Sequence, residues 1–201
     1  MQISTLYPYP YLFPIFGYLS GSLPFALWVT RLVKGIDVRD GGSGHVTTTN
    51  TIRQAGLGWG ILVLILDISK GFVPAYFTAR LALPYWAVAL TAGLAVVGHC
   101  WPLFAQFRGG MGLATTGGCL LAINPLGLVI GLGVLVSLIL TIRHSARAAF
   151  FTGLLIPVAL WLLAQRGLII WVSVATGIVV AIRFLDDWNR EYRELWLDRE
   201  Q

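Results

Sequence analysis

"MGLATTGGCLLA", residues 111–122, is a run of small and apolar residues without a charge. A helix over it rises only about 18 Å at about 1.5 Å per residue, well short of a hydrocarbon core about 30 Å thick. Whether it crosses a membrane decides the fold, because every later loop changes sides with the answer. The rest of the chain is unambiguous. Residues 1–30, 81–107, 109–142, 148–165 and 167–182 contain no Asp, Glu, Lys or Arg. Each approaches or exceeds the roughly 20 apolar residues of a membrane span.

Composition agrees. Of 201 residues, 57% are hydrophobic and 11% charged, with mean hydropathy +0.76. A soluble domain carries about a quarter charged residues, so a soluble globular enzyme is excluded and a polytopic all-α membrane protein is indicated. We expect one domain over 1–201, with helices at 12–33, 56–79, 86–104, 111–122, 125–142, 149–165 and 167–185. Pro84, Asn124-Pro125 and Gln165-Arg166-Gly167 mark breaks.

Charge settles the short segment. With seven helices, Arg31, Lys34, Arg39, Arg53, Arg108, Arg143, Arg147, Arg183, Arg190, Arg193 and Arg199 share one side, and only Arg80 and Arg166 lie on the other. Omitting the short helix moves Arg143 and Arg147 across and spoils the bias. The positive-inside rule therefore predicts seven spans, the fourth short and shielded by neighbours, the N-terminus outside and the C-terminus cytoplasmic. The net charge of +5 records loop topology, and no nucleic-acid partner is expected. "MQISTLYPYPYLFP" (1–14) lacks a basic n-region and is rich in proline, so no cleaved signal peptide is expected. Cys100 and Cys119 sit in apolar runs and are expected to be buried free thiols. The tail "RFLDDWNREYRELWLDREQ" (183–201) either follows the membrane surface or ends in water.

Polar residues gather in a few places. "DVRDGGSGHVTTTNTIR" (37–53) falls in the first cytoplasmic loop. Gly41, Gly42 and Gly44 allow backbone N–H groups to converge on an anion, Thr47, Thr48, Thr49 and Asn50 add donors, and Arg39 and Arg53 add charge. Thr49 or Asn50 is a candidate cap for the second helix. An ordinary glycine-rich turn accounts for the same residues. "GHCWPLFAQFRGGMGLATTGG" (98–118) supplies a second glycine-and-arginine loop on the same face, again before a helix. The two read together as halves of one anion site.

Asp67 and Lys70 in "LILDISKG" (64–71) lie three apart inside the second span, able to pair on one face. Their role is either functional or structural. "GSLPF" (21–25) places Ser22 beside a kink at Pro24, with Gly17 and Gly21 offering a packing surface as the alternative. His99 opens a His-Cys-Trp-Pro turn, and His144 and Ser145 lie in the third cytoplasmic loop. Three histidines in three loops, without an acidic cluster, give no metal site, and no Ser-His-Asp arrangement is evident.

In order and spacing, "GSLP", "GSGHVTTTNTIR", "DISKG" and "GHCWPLFAQFRGGMGLAT" resemble the PlsY-type membrane glycerol-3-phosphate acyltransferases, from about residue 17 to 118 and more faintly beyond. The resemblance implies seven membrane helices, an outside N-terminus and an active site at the cytoplasmic face of the cell membrane. It implies transfer of a fatty acyl group from acyl phosphate to the 1-hydroxyl of glycerol 3-phosphate, giving lysophosphatidic acid and phosphate with no metal or cofactor. Acyl phosphate, glycerol 3-phosphate and membrane lipids are then the partners. Ser43, Gly44, Thr49, Asn50 and Arg53 would cradle one phosphate. Arg108, Gly109 and Gly110, followed by Gly112, would hold the other, with Ser22, His45, His99 and Ser145 completing the site. A substrate phosphate can itself accept the hydroxyl proton, which accounts for the lack of an evident general base.

The chain departs from the family pattern at three points. His45 stands where the loop usually has asparagine, with Thr47 and Thr48 in place of Gly-Ala. Met111 replaces a lysine. Phe184 and Asp187 take the places of a histidine and an asparagine near the C-terminus. His45, protonated beside a dianion, is expected to restore some of the lost positive charge, and Asp187 to repel phosphate. Three readings follow: an acyltransferase, including one with a less charged acceptor; a weakened homologue that binds a lipid or phosphometabolite; and a small anion transporter.

Overall fold

The computed structural model describes residues 10–190, so the first residues and most of the C-terminal tail lie outside the described part. Among the described residues all regular structure is helical: α1 (Leu12–Gly21), α2 (Phe25–Lys34), α3 (Thr48–Ala55), α4 (Leu57–Arg80), α5 (Tyr85–Cys100), α6 (Leu113–Ile123), α7 (Pro125–Ile142), α8 (Ser145–Leu162) and α9 (Leu168–Leu185), with 3-10 turns at 38–40 and 103–105. Six stretches are long and apolar enough to span a membrane, α1 and α2 counting together as one, and α6 is the shorter seventh. Large exposed side chains such as Leu62, Ile65, Leu132, Leu140, Leu162 and Ile182 cover the outside, as a lipid solvent requires.

Several boundaries differ from expectation for identifiable reasons. The first span is two helices, broken at Ser22-Leu23-Pro24, where Pro24 leaves the helical region at φ −90° and ψ 66°. The freed Leu23 carbonyl accepts a hydrogen bond from Lys70 Nζ at 3.0 Å, the internal satisfaction that a helix break in a bilayer demands. The third span stops at Cys100 rather than 104, since Pro102 disfavours helical geometry at Trp101. The sixth begins at Ser145, one turn before 149, because the His144 side chain caps it, accepting from Arg147 N at 3.5 Å. The second span is preceded by a further helix, α3 (Thr48–Ala55), within the first cytoplasmic loop. Thr47, not Thr49 or Asn50, caps it, accepting from Asn50 N at 3.3 Å.

α5 runs through the centre, with Ala87, Val88, Ala92, Ala95 and Val96 fully buried. Small residues bring the helices together. Gly17 and Gly21 of α1 pack on the backbone of Thr91 and Ala95, where a Cβ would overlap a carbonyl oxygen. Gly71 and Gly118 join α4 to α6, and Gly153 meets Gly177 between α8 and α9. Both readings of "GSLPF" therefore hold: the helix breaks and its glycines pack.

α6 links the two ends of the bundle. It starts beside the 98–112 loop and finishes at Asn124, whose Nδ2 donates to Gln165 Oε1 at 3.0 Å in the α8–α9 connection. Eleven residues suffice because α4, α7 and α9 surround it. Cys100 and Cys119 are buried free thiols.

Candidate active site

At the end of the bundle where the basic loops meet, the loop of residues 35–47 folds on itself. Asn50, fully buried, donates from Nδ2 to the carbonyls of Val38, His45 and Gly41 at 2.8, 3.0 and 3.1 Å. Its Oδ1 accepts from Ser43 N at 3.3 Å. Gly42 and Gly44 adopt φ of +57° and +69°, left-handed turns that a side chain would strain. A Cβ on Gly42 would also collide with Asn50 Oδ1.

Three amides of the expected anion nest are taken up within the protein. Ser43 N is held by Asn50, while Gly44 N donates to Gly41 O at 3.1 Å and Val46 N to Gly109 O at 3.2 Å. These amides fix the loop, and its side chains are what face inward. Asn50 accordingly organises the loop from within.

The two glycine loops do come together, as the sequence suggested. Val46 pairs with Gly109, and Arg39 Nη1 donates to Ala105 O at 3.1 Å. Arg39 is itself clamped by Asp37, with Nε 2.9 Å from Oδ1 and Nη2 2.6 Å from Oδ2. That guanidinium holds the Asp37 carboxyl well below the usual carboxylate range, and the pairing raises Arg39 in turn.

Below the loops lies a cavity of about 550 Å³. Its upper end is polar, lined by Ser43, His45, Thr47, Thr48, Thr49 and Arg53, with Asp67, His99, Gly112 and Ser145. The rest is an apolar shaft between α6, α7 and α8, walled by Leu120, Leu128, Leu132, Leu135, Ala149 and Ile156. The Thr48 and Thr116 hydroxyls at its wall are buried without a hydrogen-bond partner, so polar capacity is available to a ligand. No cluster of metal-ligating residues occurs among the described residues.

Other candidates stand elsewhere. Ser22 is fully buried and donates to Tyr18 O at 2.8 Å, away from the cavity lining. Arg108 is exposed and does not line the cavity. Gly109 and Gly110 are buried against His99 and Val46, where a Cβ on either would overlap neighbouring atoms.

The C-terminal departures form a cluster of their own. His45 Nε2 lies 2.8 Å from Asp187 Oδ2 and 3.0 Å from Arg190 Nη1, and its Nδ1 lies 3.3 Å from Arg183 Nη2. Both ring nitrogens are engaged by protein groups, while His45 also lines the cavity. Asp187, 6% exposed, is paired, which corrects the expectation that its charge simply repels a substrate. Arg183, 9% exposed, donates from Nε to Gly110 O at 3.0 Å, next to Met111. It joins α9 to the backbone beside the position where the family pattern has its lysine.

The glycerol-3-phosphate acyltransferase family model matches residues 11–194. The chain belongs to this family. It is 45% identical over 132 residues to glycerol-3-phosphate acyltransferase 2 of Thermotoga maritima, covering 65% of this chain and 67% of that one. With the glycerol-3-phosphate acyltransferase of Geotalea daltonii it shares 34% identity over 174 residues, 87% and 89% of the two chains. The fold is that of the crystal structure of PlsY, an integral membrane glycerol 3-phosphate acyltransferase, in its glycerol 3-phosphate form (TM-score 0.78, 30% identity, 90% of each chain). The lysophosphatidic acid form matches with TM-score 0.77, 30% identity and the same coverage.

Within this acyltransferase fold, sequence reasoning missed Arg183 and Thr116 as neighbours of the site. Arg183 looked like an ordinary charge at a helix end, and nothing local signals that it and Asp187 contact His45 across 138 and 142 residues. Asp67 and Lys70 did carry a signal, a charged pair inside a span. They pair at 2.9 Å.

Proposed function

We propose that this protein transfers a fatty acyl group from acyl phosphate to the 1-hydroxyl of glycerol 3-phosphate, releasing lysophosphatidic acid and inorganic phosphate. The observation that carries the reading is the continuity of one cavity, with threonines, a serine and Arg53 at one end and an apolar shaft behind. That shape suits an acyl chain with a phosphate head. The site sits at the cytoplasmic face of the plasma membrane, the orientation favoured by the loop arginines, and membrane lipids fill the surroundings.

In this reading Arg53 and the Thr47–Thr49 hydroxyls hold the phosphate of glycerol 3-phosphate. Ser43 and Ser145 face the reacting groups, and the shaft takes the acyl chain. Phosphate is a good leaving group, so positioning and charge neutralisation contribute most of the rate. The test is phosphate release from palmitoyl phosphate by purified protein with and without glycerol 3-phosphate. Acceptor-dependent release is expected, and silence from an intact, folded protein overturns the reading.

One observation favours a second reading, a weakened homologue. Met111, 8% exposed, lines the cavity where the family pattern has lysine. Silence from the unsubstituted protein together with turnover by Met111→Lys would establish it. We expect instead turnover in both, with Met111→Lys faster by about tenfold, the scale of one added charge-assisted hydrogen bond.

A further inference from the structure

Two phosphate groups are a heavy demand on this cavity. Acyl phosphate and glycerol 3-phosphate each bring a dianion, and their repulsion grows as the surrounding dielectric falls. Among the described residues that line the cavity, Arg53 is the one arginine or lysine and Asp67 the one carboxylate. Asp67 has its own partner in Lys70 Nζ at 2.9 Å. Met111 lines the same space with an uncharged side chain. The other arginines near the loops are engaged by the scaffold. Arg183 donates from Nε to Gly110 O and from Nη1 to Asp186 Oδ2, both at 3.0 Å, and its Nη2 lies 3.3 Å from His45 Nδ1. Arg190 donates to Ser43 O at 2.6 Å, and Asp37 clamps Arg39.

Hydroxyl groups, in contrast, are plentiful. Ser43, Thr47, Thr48, Thr49, Thr116 and Ser145 all line the cavity. The Thr48 and Thr116 hydroxyls are buried without a hydrogen-bond partner. Thr116, 5% exposed, differs in this from Thr30, Thr78, Thr91, Thr152 and Thr176. Each of those donates its hydroxyl proton to the helix carbonyl four residues back. A buried hydroxyl without a partner is costly and rare, and a ligand hydroxyl at the wall supplies the missing bond.

We infer that the acceptor site also takes an uncharged polyol, so that the protein acylates a primary hydroxyl of glycerol itself as well as that of glycerol 3-phosphate; the inference rests on the acyl-phosphate reading above. The alcohol oxygen bonds to the acyl carbon, and the bond from that carbon to the phosphate oxygen breaks. The hydroxyl proton leaves with the phosphate as hydrogen phosphate, and the product is a monoacylglycerol. With this acceptor the cavity holds a single dianion, for which Arg53 is available to neutralise charge, and the acceptor's hydroxyls meet the threonines. A site that grips the acceptor phosphate through two charge-assisted contacts rejects glycerol by about 10²–10⁴-fold, whereas one such contact gives about tenfold to a hundredfold.

The test uses the purified full chain in glycerol-free detergent buffer, with palmitoyl phosphate as donor. Glycerol and glycerol 3-phosphate are titrated separately, and palmitoylglycerol and lysophosphatidic acid are quantified by mass spectrometry against protein-free blanks. Both products are expected, with kcat/KM favouring glycerol 3-phosphate by less than about a hundredfold. Met111→Lys is expected to widen that preference by about tenfold or more, since the added charge meets only the acceptor that carries phosphate. Lysophosphatidic acid without palmitoylglycerol, or a preference above about a hundredfold in the unsubstituted protein, overturns this inference and leaves the functional reading standing. That measurement decides by itself if Met111→Lys does not fold. An unwidened preference in folded Met111→Lys overturns the inference too. Palmitoylglycerol alone upholds it and removes glycerol 3-phosphate as acceptor. Neither product from folded protein overturns the functional reading, and the inference with it.

Discussion

His45 Nε2 and Asp187 Oδ2 lie 2.8 Å apart although 142 residues separate them in the chain. This contact joins the first glycine loop to the end of α9 and closes the polar end of the cavity. Side-chain exposures of 11% and 8% make it more than a screened surface pair. A double-mutant cycle with His45→Ala and Asp187→Ala should give a coupling of about 1–2 kcal/mol in thermal or denaturant unfolding. Additive losses would show that the contact contributes nothing to stability.

Arg53 and Arg108 looked equivalent in sequence and separate in the structure. Arg53 lines the cavity, whereas Arg108 is exposed outside it. Arg53→Ala should raise KM for glycerol 3-phosphate by about tenfold to a hundredfold, the scale of a lost charge-assisted contact. Arg108→Ala should change either substrate's KM by less than about threefold. Steady-state kinetics of both variants with both substrates reverses the assignment if Arg108 shows the larger effect.

Gly131 sits at the deep end of the shaft, where an added Cβ would lie 3.3 Å from Ile156 Cδ1 and 3.5 Å from Leu120 Cδ1. A leucine there would occupy space now open to an acyl chain. Gly131→Leu should therefore shift preference toward shorter acyl phosphates, lowering kcat/KM for palmitoyl phosphate relative to a ten- or twelve-carbon donor by about tenfold. An unchanged chain-length profile would place the chain elsewhere.

Asp37 clamps Arg39 and also accepts from Arg31 Nη2 at 2.8 Å. Its carboxyl is held well below its ordinary value, so the folded state binds a proton less readily than the unfolded state. The stabilisation is present in full above the unfolded carboxylate range and is lost as pH falls through the folded value. At neutral pH Asp37→Asn should cost about 1–2 kcal/mol, discounted for screening by nearby water. The gap between the two proteins should narrow as pH drops below about 4. A gap independent of pH would exclude the charge as its source.

Much of the architecture was legible because a bilayer imposes simple rules. Uncharged runs of sufficient length became helices, and Pro84, Asn124 and Gly167 stand at their starts. The break at Pro24 was legible from the ring's missing N–H. α3 was not, because an eight-residue polar helix has neither the length nor the apolar periodicity that marks a span; only Thr47, in hindsight, announces it. At the site, the convergence of the two glycine loops could be read from charge placement alone. The direction of individual groups could not: Ser43 and Gly44 looked like a nest, yet Asn50 and Gly41 take their amides.

The sequence by itself determined that the chain is a bundle of membrane helices with its polar chemistry at one end, since transfer free energy and loop charge depend on composition and order. It also determined that Asp67 and Lys70 share a helical face, because helical spacing is local. Only the tertiary structure decided which polar groups point into the cavity and which hold the scaffold. That choice depends on how α5, α6 and α9 are rotated against one another by packed glycines and small residues. A rotation of one residue position would turn Arg183 away from Gly110 without altering the hydropathy of any span.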